Sequence, residues 1–257
     1  MATDLIAVTG ATGALGRLVL AELLRRVPPS RVVAVVRDPG RVDGVEARHG
    51  DYDEPGSLRR AFEGVDRLLL ISSPELDPAR RLAQHRNAID AASGVGLLAY
   101  TSFLGADEPG PGVTEAHHAT EAAVRERGGP YTMLRNPFYT EAFVHPGLPA
   151  LPELTSGTGG RGLNTATRAD LAAAAAAVLT TGGHEGRAYD LTGPLWTYPQ
   201  LARLLGVAYR EEPPPGPMAY LHGLAKAGRL ERQTGDLESL LGRAPTGIAE
   251  VLRAATR

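Results

Sequence analysis

The chain has 257 residues, of which 43% are hydrophobic and 22% are charged, as in an ordinary globular protein. It contains no cysteine, which excludes disulfide scaffolds, thiolate metal sites and cysteine nucleophiles. The formal net charge of −2 argues against a nucleic-acid-binding surface and against a basic membrane-binding surface. No apolar stretch approaches the ~20 residues of a membrane span, and the first residues do not resemble a signal peptide. We therefore expect a cytoplasmic protein.

Short apolar runs alternate with helical patterns in the first half of the sequence. The runs at 5–8, 32–36, 68–71, 97–100 and 131–134 predict strands. Helical spacing of apolar residues covers 15–26, 56–63, 78–93 and 115–127. Unbroken apolar strands between helices are typical of a parallel sheet covered on both faces. The first half therefore predicts an α/β fold with a Rossmann-type doubly wound parallel sheet.

The second half has a different pattern. Residues 146–162 are rich in Pro, Gly and Thr and predict a loop, while 169–180 predict a helix with Asp170 in its first turn. Shorter elements follow: strands at 188–191 and 207–210, a helix at 198–205, and a proline-rich linker at 212–217. We expect a dinucleotide-binding core at 1–145 and a smaller substrate-binding cap at 146–257, with the segments at about 160–192 returning to the core.

The sharpest motif is the sequence TGATGALG at residues 9–16, which follows the first strand and opens the first helix. Glycines there permit a tight turn and let the backbone approach a pyrophosphate. The free N–H groups of the helix start then face the anion. The spacing is GxxGxxG rather than the standard GxGxxG. The motif predicts a nucleotide site whose contacts come from Thr9, Gly10, Thr12, Gly13, Ala14, Leu15 and Gly16.

The end of the second strand bears on the choice of cofactor. Arg37 directly follows the apolar run, and its planar guanidinium suits the 2′-phosphate of NADP. NAD remains a possible cofactor, because the carboxylate of Asp38 could instead bind the ribose 2′-hydroxyl. Asp51 and Tyr52 follow a further strand that we expect between the runs at 32–36 and 68–71, and the pair is either an adenine contact or an ordinary turn. We favour NADP(H) over NAD(H).

Several catalytic motifs are absent. A large class of reductases with this fold uses Tyr-x-x-x-Lys, but the only lysine is Lys226 and no tyrosine precedes it by four residues. His117 and Glu121 stand at the expected place instead, one turn apart on one helix face. The sequence has no HExxH, no GxSxG and no GxxxxGK[ST] motif, so no metal site is expected.

Seven segments together resemble the NmrA-like group of atypical short-chain dehydrogenases/reductases, most of all the type 2 NAD(P)H:quinone oxidoreductases and triphenylmethane reductases. The resemblance covers about residues 5–205, and the stretch 210–235 diverges. The segments that carry it are 6–13, 33–37, 68–73, 84–87, 100–102, 131–136 and 165–170.

The resemblance implies a Rossmann core that binds NADP(H) at the carboxyl ends of its strands. Beyond the glycine loop, it implies cofactor contacts from Arg37, Asp51, Ser72, Ser73, Thr101, Ser102, Asn136 and Pro137. It also implies that the substrate lies near the nicotinamide and beside the cap, with His117, Ser102 and Tyr139 as the candidate catalytic residues. The residues of the cap that could determine substrate specificity are Trp196, Met218, Tyr220 and His222.

Three functions are open at this stage. Reduction of a quinone gives a phenolate-like anion whose conjugate acid has a pKa of ~10, and water can protonate it. The missing Tyr/Lys pair therefore penalises ketone reduction more than quinone reduction. We therefore expect an NADPH-dependent reductase of quinones or similar conjugated acceptors such as polycyclic aromatics. The alternatives are a ketone or enone reductase of an aromatic polyketide pathway and a non-catalytic NADP-sensing regulator. The expected partner is a small molecule, not nucleic acid or membrane, and the oligomeric state is open.

Overall fold

The computed structural model describes residues 4–110, 112–145, 148 and 151–255. The chain divides into two units. Unit 1 contains the residues up to Asn136 together with Leu171–Asp190. Unit 2 contains Pro137–Asp170 and the residues from Leu191 onward. The second half of the sequence therefore returns one helix and one strand to unit 1.

Unit 1 is built on a seven-stranded sheet in which every strand pairs in parallel with its neighbours. Its strands are β1 (Ile6–Thr9), β2 (Val32–Val36), β3 (Glu46–His49), β4 (Arg67–Leu70), β5 (Leu97–Phe103), β6 (Tyr131–Asn136) and β10 (Arg187–Asp190). The order across the sheet is β10-β6-β5-β4-β1-β2-β3. The predicted parallel α/β sheet is therefore confirmed.

The helices of unit 1 begin where the sequence supplies a cap or a proline. Asp77 accepts a hydrogen bond from the N–H of Arg80 at 2.7 Å, and Pro78 follows it, which suits a helix start. Val33, Leu68 and Met133 are fully buried in the core of this unit. The helices are α1 (Ala14–Leu24), α2 (Pro55–Ala61), α3 (Pro78–Ala91), α4 (Val113–Glu126) and α5 (Arg168–Thr180), of which α5 enters unit 1 at Leu171.

Unit 2 holds two small sheets and four helices within the described residues. One sheet has the order β11-β9-β7 and the other pairs β12 with β8 in parallel. The strands are β7 (Phe138–Tyr139), β8 (Glu153–Ser156), β9 (Leu163–Ala166), β11 (Leu195–Trp196) and β12 (Ala208–Glu211). The helices are α6 (Tyr198–Leu205), α7 (Pro217–Lys226), α8 (Asp236–Leu241) and α9 (Ile248–Ala255). Short 3-10 turns include Pro29–Arg31, Pro39–Arg41 and Thr140–Ala142.

The loop predicted at 146–162 is wrong in part, because β8 lies inside it. The residues of β8 alternate between half-buried and buried positions. Its backbone hydrogen bonds come from pairing with β12, which the polar sequence of this segment does not predict. Two of the proposed cap residues are core residues of unit 2. Trp196 is 2% exposed and donates to Thr165 Oγ1 at 2.9 Å, and His222 accepts from the N–H of Gly157. Among the described residues, no helix has the length and apolarity needed to cross a membrane.

Candidate functional site

The glycine loop is a tight turn between β1 and α1. Gly10 has a φ of +58°, a left-handed conformation that favours glycine, and its carbonyl accepts from the N–H of Gly13 at 2.9 Å. A Cβ on Gly16 would overlap the Gly10 carbonyl oxygen and lie 2.7 Å from Ala11 Cα, so no larger residue fits there. A Cβ on Gly13 would meet only the Gly10 oxygen, at 3.1 Å. Gly16 is therefore needed for packing, and Gly13 leaves the outer side of the turn open.

The start of α1 carries no side-chain cap. Gly13 occupies the N-cap position with φ −74° and ψ 169°, and the first turn contains no acidic residue. The first N–H groups of a helix have no partner within the helix, and the helix dipole favours an anion beside them. Gly13 and Ala14 are exposed. This end of the helix therefore fits a phosphate group.

Charged side chains surround the end of β2. Arg37 is exposed, and its carbonyl oxygen lies 2.9 Å from His49 Nδ1. This hydrogen bond, followed by the one to Glu54, raises the pKa of His49 above its ordinary value. The carboxylate of Asp38 accepts from the N–H of Gly40 at 3.1 Å and caps the following turn. Arg37 is thus an exposed cation at this edge, while the neighbouring Asp38 carboxylate caps a turn.

Tyr52 is half-buried, and its hydroxyl is hydrogen-bonded within unit 1. The hydroxyl donates to the carbonyl of Ile71 at 2.5 Å and lies 2.6 Å from Thr9 Oγ1, and burial raises the pKa of Tyr52. Asp51 accepts from the N–H of Asp53 at 2.9 Å through Oδ1. The hydroxyls of Thr9 and Tyr52 therefore tie β1 to the ends of β3 and β4 and hold the turn in shape.

The ends of β4 and β5 are joined by hydroxyl groups. The N–H of Ser72 donates to Thr101 Oγ1 at 2.9 Å, and the N–H of Ser73 donates to His85 Nε2 at 2.9 Å. The hydroxyl of Ser73 donates to Gln84 Oε1. Parallel strands end at one edge of a sheet, so these candidates and Asn136 share the edge that carries the glycine loop.

Ser102 belongs to a buried ionic cluster. Its hydroxyl donates to Glu121 Oε1 at 2.7 Å, and Arg135 binds both oxygens of the same carboxylate at 2.8 Å each. Arg125 adds a third contact at 2.8 Å. Burial opposes ionisation of Glu121, but the hydrogen bonds from Arg135 and Ser102 outweigh it and hold the pKa of this carboxyl below its ordinary value. The hydroxyl proton of Ser102 is thus directed at Glu121.

His117 is buried and hydrogen-bonded to a tyrosine. It is 4% exposed, and its Nδ1 lies 2.7 Å from the hydroxyl of Tyr100, which is itself fully buried. Burial, assisted by the charge of Arg81, lowers the pKa of His117 to about 4. The imidazole is therefore neutral near pH 7, where it is a weak acid.

Tyr139 and Pro137 lie in unit 2, apart from the other candidates in the division of the chain. The guanidinium of Arg168 lies 4.5 Å from the centre of the Tyr139 ring, a cation–π contact. The N–H of Arg168 donates to Glu141 Oε1 at 2.9 Å. Tyr139 is therefore held by its own unit on β7.

Three buried residues near the sheet edge have no role in the sequence prediction, although each lies within a segment that carries the resemblance. Arg135 pairs with Glu121, and this pairing needs the tertiary fold. His85 and Tyr100 are the other two. The helical pattern could have indicated His85, because it shares the buried face of α3 with Gln84 and Ala88.

Comparison with known proteins agrees with this geometry. A model of the NAD(P)H-binding family matches residues 10–182. Quinone oxidoreductase 2 of Escherichia coli is 44% identical over 208 residues, which cover 77% of this chain and 72% of that protein. A (4-alkanoyl-5-oxo-2,5-dihydrofuran-3-yl)methyl phosphate reductase of Streptomyces griseus is 35% identical, over 81% of this chain and 76% of that protein.

The solved structures include a close fold match. The Citrobacter sp. triphenylmethane reductase, crystallised with NADP(H), superposes with a TM-score of 0.92 at 37% identity, covering 98% of this chain and 99% of that one. These matches confirm both the predicted resemblance and the predicted dinucleotide cofactor. The chain belongs to the NAD(P)H-binding family of NmrA-like oxidoreductases.

Proposed function

We propose that this chain is an NADPH-dependent oxidoreductase that transfers hydride to a quinone or a similar conjugated acceptor. The observation that carries the proposal is the lack of a suitable acid among the candidates of unit 1. The hydroxyl of Ser102 donates its hydrogen bond to Glu121. His117 has a pKa of about 4, so its ring is neutral near pH 7. Hydride transfer to a quinone yields a hydroquinone anion, and one proton from water completes the product. The identities to a quinone reductase and a triphenylmethane reductase support this acceptor class.

The cofactor would be held along the carboxyl edge of the sheet. The exposed positions Gly10, Gly13 and Ala14 suit the pyrophosphate, and bound NADPH would supply the hydride. We assign Thr12, Leu15, Ser72, Thr101 and Asn136 to the walls of the same site. Thr9, Asp51, Tyr52, Ser73 and Gly16 would act mainly by supporting the edge, because their hydrogen bonds or packing are internal.

Preference for NADPH over NADH is expected to rest on Arg37. The 2′-phosphate suits a guanidinium, whereas the carboxylate of Asp38 is engaged by Gly40. Arg37→Ala should weaken NADPH binding about 10- to 150-fold, the equivalent of a charge-assisted hydrogen bond of ~1.5–3 kcal/mol, and change NADH binding less than about twofold. Fluorescence titration of both cofactors measures this.

Arg59→Ala is the matched control, since Arg59 is an exposed arginine on α2. It removes the same charge without touching the end of β2, and both affinities should stay near those of the wild type. Equal losses for NADPH and NADH in Arg37→Ala would reject the assignment.

The rate of reduction should not depend on one acid. A general acid contributes roughly 10²–10⁴-fold, whereas we expect His117→Ala to lower kcat about tenfold through a lost hydrogen bond and Tyr139→Phe to lower it less. The measurement is NADPH oxidation at saturating cofactor, with folding checked by circular dichroism. A full collapse of kcat in either folded variant would favour a ketoreductase with a rebuilt acid.

The acceptor itself is tested by a panel of quinones, triphenylmethane dyes and polycyclic ketones, with NADPH absorbance as the readout. Quinones or dyes should be reduced and the polycyclic ketones should not. The Streptomyces griseus relative supports conjugated enones as a second acceptor class, because the 5-oxo-2,5-dihydrofuran ring for which that reductase is named carries a conjugated carbonyl. NADPH binding without turnover of any acceptor would instead indicate a sensor.

A further inference from the structure

A row of buried polar rings crosses unit 1 from α3 through β5 to α4. His85, Tyr100 and His117 are at most 4% exposed. The ring centres of His85 and Tyr100 are 5.4 Å apart, and those of Tyr100 and His117 are 5.8 Å apart. Buried polar groups require hydrogen-bond partners, so the position of each proton along the row is restricted by its neighbours.

The protonation of His85 follows from a backbone donor. The N–H of Ser73 points at His85 Nε2 at 2.9 Å, so this nitrogen accepts and carries no proton. Burial lowers the pKa of His85 to about 3, which keeps the ring neutral. Its proton is therefore on Nδ1, which donates to Thr120 Oγ1 at 2.8 Å. The hydroxyl of Thr120 donates in turn to the carbonyl of Ala116 at 2.7 Å.

This tautomer of His85 restricts the hydrogen bond that the Tyr100 hydroxyl can donate. The hydroxyl lies 3.5 Å from His85 Nδ1 and 2.7 Å from His117 Nδ1. The first nitrogen carries a proton and cannot accept, so of these two nitrogens only His117 Nδ1 can accept the phenol proton. With the hydroxyl donating there, the proton of the neutral His117 ring lies on Nε2.

We propose that His85 and Tyr100 are positioning residues that hold His117 as the neutral tautomer with its proton on Nε2, so that His117 donates a hydrogen bond to the acceptor oxygen. The role of His117 toward the acceptor rests on the proposed function. A neutral imidazole can polarise a carbonyl without giving up its proton, whereas the opposite tautomer would present a lone pair to the same oxygen. Phe103 packs against the other side of the ring, with centroids 6.0 Å apart, and helps to fix its orientation.

The tautomers can be measured without any substrate. Long-range proton–nitrogen correlation spectra of the full chain labelled with nitrogen-15 histidine resolve each ring, and His117→Gln and His85→Gln assign two of the seven histidines. We expect a protonated Nε2 on His117 and a protonated Nδ1 on His85. Both patterns should persist from about pH 6 to about pH 8, above the pKa values of about 4 and about 3.

Tyr100→Phe removes the donor with little change in shape. The spectrum of His117 should then show a mixture of the two neutral tautomers, because no group donates to Nδ1 any longer, while His85 keeps its pattern. With 1,4-benzoquinone as the probe acceptor, kcat/KM should fall about tenfold, the equivalent of one hydrogen bond, while the KM for NADPH stays within about twofold.

Tyr189→Phe is the matched control. It removes a phenol–imidazole hydrogen bond of 2.8 Å to His184 Nδ1 in the same unit, beside the start of β10. This variant should change the spectrum of His184 and leave both His117 and the turnover unaltered.

A proton on Nδ1 of His117 in the wild type would overturn the proposal, and this spectrum is decisive even if Tyr100→Phe fails to fold. If Tyr100→Phe changes the His117 spectrum as expected but leaves turnover unchanged, the role of His117 toward the acceptor is overturned. Neither result would remove the oxidoreductase function, which wild-type turnover of NADPH tests separately.

Discussion

Glu121→Leu should lower the free energy of unfolding by about 3–5 kcal/mol, because it leaves the charge of Arg135 buried without its main partner. The side chain of Glu121 is 0% exposed and that of Arg135 is 10% exposed, with two contacts of 2.8 Å between them. Asp190, at 3.4 Å from Arg135, is too distant to replace the bidentate pair. Urea denaturation followed by circular dichroism measures the loss.

Two variants separate the ion pair from a general loss of packing. Glu121→Leu combined with Arg135→Met removes both charges and should recover most of the stability. Glu126→Leu changes an exposed carboxylate on the same helix and should shift stability by less than about 0.5 kcal/mol. A double variant no more stable than Glu121→Leu would contradict the ion-pair explanation.

The same cluster makes a contribution that depends on pH. The pKa of Glu121 in the folded chain lies below its ordinary value of 4.5, so the unfolded chain binds more protons when the pH is near that value. The stabilisation is complete above 4.5 and is lost as the pH falls through the lower folded pKa. The stability of the double variant should therefore fall less steeply in acid than that of the wild type.

Gly13→Val should abolish tight binding of NADPH while the chain stays folded. A branched side chain on the outer side of the turn would keep the pyrophosphate from the first N–H groups of α1. Loss of two charge-assisted hydrogen bonds of ~1.5 kcal/mol each weakens binding by more than about 100-fold. Because Gly13 has a φ of −74° and a Cβ there meets one atom at 3.1 Å, the substitution should perturb the fold little. Isothermal titration calorimetry measures the affinity.

Gly94→Val is the control for this experiment. Gly94 is exposed, and a Cβ there meets nothing within 4 Å. Its affinity for NADPH should equal that of the wild type. If Gly13→Val is folded and still binds NADPH normally, the cofactor does not bind at the glycine loop.

Local patterns were sufficient for the core of the fold. The run at Val32–Val36 reads as a buried strand because every residue in it is apolar, and the structure has the same bounds. The glycine loop is equally predictable, since a tight turn with Gly10 at positive φ depends on residues that are adjacent in the sequence. The lack of Tyr-x-x-x-Lys, with His117 at the expected place, is also a property of the sequence alone.

What the sequence could not decide depends on residues that are distant along the chain. Strands β8 and β9 are short and partly polar, and pairing with β12 or with β7 and β11 stabilises them. The register of β5 and β6 sets Ser102 opposite Arg135, and α4 then brings Glu121 to both. The proton positions on His85 and His117 likewise depend on Ser73 and Tyr100. The sequence by itself determined the sheet and the dinucleotide loop, because these follow from local periodicity and turn chemistry. Only the tertiary structure decided which polar groups share protons, because hydrogen bonds depend on distances that packing creates.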